Sequence, residues 1–76
     1  MTAAELVRRE VRESSWSQAR LGRELGLTPS SMLDRLKAKN GMTCGFASRA
    51  LGLLGWELVA VPRGCRLPNG AVRIDG

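Results

Sequence analysis

The chain has no histidine, no tyrosine and only two cysteines. Without histidine it lacks the side chain most often used as a general base near neutral pH, and also the commonest metal-binding ring. Cys44 and Cys65 cannot close a structural zinc site by themselves, and they lack the C-x-x-C spacing of a redox or metal motif. Ser14-Ser15 has no base to activate it. The stretch Gly41 to Gly45 lacks the lysine of a phosphate-binding loop. No catalytic residue, metal or cofactor is expected, and the chain reads as a non-enzyme. Long apolar runs are missing too: none approaches the roughly 20 residues that cross a bilayer. The N-terminal stretch is charged by Glu5 and has no apolar secretory core. The expected setting is the cytoplasm, away from membranes, with both thiols reduced.

Acidic residues are also scarce. Twelve Lys and Arg face seven Asp and Glu, a formal charge of +5. Residues 1–26 are nearly balanced, whereas residues 27–56 hold Arg35, Lys37, Lys39 and Arg49 against Asp34 alone. A local surplus of this kind attracts phosphate without regard to sequence. Seventy-six residues suit a single domain over 1–76. So short a chain buries only about 60% of its unfolded surface, and the apolar residues near the C-terminus suggest added burial against a partner.

Four helices are predicted, each from its cap. Thr2-Ala3-Ala4-Glu5 is a capping-box pattern and opens a helix to about Glu13, with Leu6, Val7 and Val11 as its apolar stripe. Glu5–Arg9 and Arg9–Glu13 are spaced as i,i+4 pairs, so Arg8, Arg9 and Arg12 are expected in solvent, neutralised by Glu5, Glu10 and Glu13. Ser17 caps a second helix, about Gln18 to Leu25. Gly26 suits the left-handed residue that ends it. Thr28-Pro29 restarts the chain as cap and first helical residue, giving a third helix over 29–38 with Met32, Leu33 and Leu36 inward. Thr43 caps a fourth helix, about Cys44 to Leu54. Beyond it, Trp56-Glu57-Leu58-Val59-Ala60-Val61 is β-prone with two apolar faces. Leu67-Pro68-Asn69-Gly70 signals a turn, from which Ala71–Ile74 returns as a second strand. The expected fold is mainly α: four helices followed by a C-terminal β-hairpin extension over 56–75.

Residues 17–38 carry the functional signal. A short helix, a tight turn at Gly26-Leu27-Thr28 and a helix with a small, polar and basic outer face make the pattern of a helix-turn-helix. In that motif the second helix enters the major groove of DNA. Gly22 fits where two such helices cross closely, at a cost of about 1 kcal/mol of helix propensity.

Two stretches extend this to a family resemblance. Gly26 to Lys37 reads G-L-T-P-S-S-M-L-D-R-L-K, and Leu54 to Pro62 reads L-G-W-E-L-V-A-V-P. In order and spacing they resemble the phage-repressor (Cro/repressor, or Xre-like) helix-turn-helix family, in its small bacterial and mobile-element form, over about residues 2–62. Gly22 stands where the family usually has alanine. The resemblance implies a bacterial or phage-encoded, sequence-specific transcriptional regulator, most often a repressor, acting as a homodimer on double-stranded DNA. It also leaves open a protein-binding inhibitor on the same fold, of the antitoxin or anti-CRISPR type, because fold does not fix function.

The candidate DNA-binding residues follow. Ser30 and Ser31 offer hydroxyls at the first turn of the third helix, to bases or to phosphate. Asp34 either accepts from cytosine or pairs with Lys37. Arg35 and Lys37 clamp phosphate or read guanine. Gln18 matches the family's conventional glutamine near phosphate. Lys39 and Asn40 leave the helix beside the DNA backbone, and Thr28 caps and contacts. The expected dimer interface is Trp56, Leu58, Val59 and Val61, setting two third helices roughly 34 Å apart on a palindromic site. Arg63, Arg66 and Arg73 either form a second basic surface on the hairpin or, the favoured reading, serve as edge-strand charges that block aggregation.

Overall fold

The computed structural model describes residues 1–38 and 41–75. It is mainly helical: α1 is Ala3–Glu13, α2 Gln18–Glu24, α3 Pro29–Lys37 and α4 Cys44–Leu53. Each helix starts at the cap read from the sequence. At α1, Thr2 Oγ1 accepts from the Glu5 amide at 3.1 Å and Glu5 Oε1 accepts from the Thr2 amide at 2.9 Å. Ser17, Thr28 and Thr43 accept from the Arg20, Ser31 and Phe46 amides in the same way. These bonds satisfy donors that have no partner inside a helix.

Two of the helices end alike. After α2, the Leu27 amide donates to the Gly22 carbonyl at 2.8 Å and the Gly26 amide to that of Arg23 at 3.0 Å. After α4, the Trp56 amide donates to the Leu51 carbonyl at 2.8 Å and the Gly55 amide to that of Gly52 at 3.2 Å. This is the Schellman pattern, and it needs positive φ at the turning residue. Gly26 and Gly55 supply it, at 76° and 91°.

Leu6 and Val7 of α1, Leu21 of α2, Met32 of α3 and Leu51 of α4 are almost wholly buried in one core. Truncating a side chain of this kind to alanine typically costs about 2–5 kcal/mol. Helices α2 and α3 pack closely at Gly22, where a Cβ would stand 3.2 Å from Met32 Cβ.

Three expectations are corrected. Leu33 is 41% exposed rather than inward: in a nine-residue helix with α2 on one side, only Met32 and Leu36 reach the core. The i,i+4 pairs of α1 do not form among the described residues. Arg9 instead bonds its neighbour Glu10 at 3.3 Å, and Arg8 donates to the Leu36 carbonyl at 3.0 Å. The C-terminal β-hairpin is not formed either, since no strand occurs among the described residues. The chain turns twice, at Pro62–Cys65 and at Pro68–Ala71, where a hairpin needs a single reversal. Its ends are anchored separately. Trp56 and Ile74 pack on the helical core, and the Asp75 amide donates to the Met1 carbonyl at 3.0 Å.

Candidate nucleic-acid interface

The exposed surface of α3 is set by what the helix buries. With Met32 and Leu36 in the core, Ser30, Leu33, Asp34 and Lys37 fall on one outward line at i, i+3, i+4 and i+7. All four are exposed. The line is polar at its start, carries an apolar side chain at its centre and ends in a cation. Asp34 and Lys37 make no ion pair among the described residues, so both present their charge to solvent.

The neighbouring candidates are more engaged. Thr28 uses its hydroxyl twice: it accepts from the Ser31 amide at 3.2 Å and donates to Ser31 Oγ at 3.0 Å. Thr28 thus serves as the α3 cap, while Ser31, half-buried, keeps its own hydroxyl proton to donate. The Arg35 guanidinium lies 5.0 Å from the centre of the Phe46 ring, a cation–π distance that restrains it beside α4. Gln18 opens α2, half-buried, and lines a half-open cleft of about 230 Å³ together with Val7, Val11, Leu21, Met32, Leu36, Arg8 and Arg12. Lys39 and Asn40 lie outside the described residues.

Two arginines hold this surface in place, and neither was legible in the sequence. The bond from Arg8 to the Leu36 carbonyl ties α1 to the C-terminal end of α3. Arg49 donates to the Leu25 carbonyl at 3.4 Å and so ties α4 to the end of α2. A cation near the last carbonyls of a helix meets the negative end of its dipole. The two partners are 28 and 24 residues away, so no local spacing announces them. The Arg20 guanidinium sits 4.1 Å over the Trp16 ring, so a third cation of this region stacks on the molecule itself.

The four residues read as a dimer surface separate into two kinds. The Trp56 indole N–H donates to Glu10 Oε1 at 2.7 Å, and the ring packs on its own core. Leu58 is half-buried, while Val59 and Val61 are 65% and 45% exposed. The Thr2 backbone N–H, and then its hydroxyl, hold the Glu5 carboxyl below the ordinary carboxylate range. Both cysteines are exposed and unbridged. Among the described residues no cluster of three or more His, Cys, Asp and Glu is spaced to hold a metal ion, and no helix is long and apolar enough to cross a membrane.

No family model, curated protein or solved structure matches this chain.

Proposed function

We propose that this chain is a sequence-specific DNA-binding regulator of the helix-turn-helix kind, a homodimer whose α3 enters the major groove. The outward line Ser30–Leu33–Asp34–Lys37 carries this reading. A helix packed closely against Gly22 and bonded at its C-terminal end by Arg8 of α1 offers a firmly held, unburied face. That face carries a hydroxyl, a carboxylate and an ammonium, the groups that bond to base edges and phosphate. Exposed Leu33 fits the reading as an apolar contact for a thymine methyl. The charge of +5 supplies the non-specific part of the affinity.

The test is the salt dependence of duplex binding. Lys37→Ala is expected to weaken binding across all sequences and to lower the slope of log K against log salt by about one. Arg35→Ala is expected to do less, because its guanidinium rests on Phe46. Equal slopes for wild type and Lys37→Ala overturn the role of α3.

Leu33 also favours a second reading. An apolar side chain 41% exposed beside Asp34 suits a protein surface, as in an inhibitor of the antitoxin or anti-CRISPR type. Leu33→Ser separates the two. It weakens binding to sites with a thymine at that contact on the first reading; on the second it abolishes partner capture and leaves duplex binding unchanged.

A further inference from the structure

Beyond α4, residues 57–61 lie outside every helix and turn, and their backbone groups make no backbone hydrogen bonds among the described residues. Val59 and Val61 are exposed on alternate positions of this run. An unpaired, β-branched edge is a template for another strand. The backbone on either side fixes which residues are free to pair. The Trp56 amide is already bonded to the Leu51 carbonyl. Pro62 has no N–H, and its carbonyl accepts from the Cys65 amide at 3.1 Å. The even-numbered residues at both ends are thus engaged or unable to donate. Residues 57, 59 and 61 have no such engagement, and Arg63, the first residue inside the Pro62–Cys65 turn, makes no backbone hydrogen bond of its own among the described residues.

We propose that residues 57–63 pair antiparallel with the same residues of a second copy, about a two-fold axis through Ala60. This rests on the homodimer reading above and specifies its contact. The odd-numbered residues form the hydrogen-bonded pairs, and Ala60 faces its copy in a non-hydrogen-bonded pair. Pro62 then points its missing donor away from the ladder, as an edge proline must. Val59 stands opposite the partner's Val61, and Glu57 opposite the partner's Arg63. Both charges are exposed, and neither has an ion-pair partner among the described residues. Centring the pair on Val59 or Val61 instead leaves both charges opposite uncharged residues, so charge complementarity selects Ala60. Trp56 stays with Glu10 and takes no part.

Reversed charges and a symmetric cross-link test the pairing. Each charge occurs in two equivalent pairs, so Glu57→Arg or Arg63→Glu alone is expected to weaken dimerisation by about tenfold in sedimentation equilibrium. The double variant returns it to within about threefold of wild type. In a Cys44→Ser, Cys65→Ser background, Ala60→Cys is expected to form a disulfide dimer on mild oxidation, because Cα atoms of a non-hydrogen-bonded pair lie about 4.5 Å apart. Leu58→Cys, about 13 Å from its copy, is expected to stay monomeric on a denaturing gel. A wild-type dimer whose charge reversals do not compensate, or one that cross-links through Leu58→Cys and not Ala60→Cys, overturns this register and leaves DNA recognition by α3 standing. A wild-type monomer overturns the pairing together with the homodimer.

Discussion

Gly22 and Gly52 both sit in helices without positive φ, yet they meet different surroundings. A Cβ at Gly52 would find nothing within 4 Å, whereas one at Gly22 meets Met32 Cβ at 3.2 Å. That atom is fixed to its backbone and cannot swing aside, so α2 and α3 would have to separate slightly. Gly52→Ala is expected to stabilise the fold by about 0.5–1 kcal/mol through helix propensity. Gly22→Ala gains the same propensity but is expected to lose about 1 kcal/mol net to overpacking. Paired thermal melts check this, and a Gly22→Ala protein as stable as Gly52→Ala contradicts close packing. The sequence showed that Gly22 belongs at a crossing. It did not show that Leu33 lies outside, because apolar character marks a stripe without saying how much of it a short neighbouring helix covers.

The helices themselves were legible because each begins with a hydroxyl whose purpose is local. Thr2, Ser17, Thr28 and Thr43 cap as their spacing implies. The hairpin was not legible, because strand pairing depends on distant groups. Trp56 and Ile74 found helical partners instead of each other. The cap of α1 also makes a pH prediction. Glu5 is held below the ordinary carboxylate range by Thr2, so its ionised form is favoured in the folded chain. That contribution is fully present above the unfolded carboxylate pKa and is lost as pH falls through the lowered folded value. The stability gap between wild type and Glu5→Gln is therefore expected to be constant near neutrality and to close on acidification. Denaturant titrations of both proteins at several pH values measure it; a gap that stays constant through the acid range contradicts the capping box.

Taken whole, the molecule measures 39 × 27 × 17 Å, with a radius of gyration of 12.6 Å against about 11 Å expected for a chain of this length. Most residues between Trp56 and Ile74 are exposed, and on the proposed pairing they are where a second copy would add burial. Of the candidate site, the polar outer face of α3 was readable from the sequence; the bonds from Arg8 to the end of α3 and from Arg49 to the end of α2 were not, since they join segments remote along the chain. On the proposed function this face reads DNA. Selection of bound fragments from random duplex DNA tests it, with wild type and Ser30→Ala run side by side. Wild type is expected to enrich inverted half-sites about one helical turn, roughly 34 Å, apart, and Ser30→Ala to relax the preference at one position of each half-site. Fragments enriched without any shared sequence, or the same motif unchanged by Ser30→Ala and Lys37→Ala alike, would contradict it.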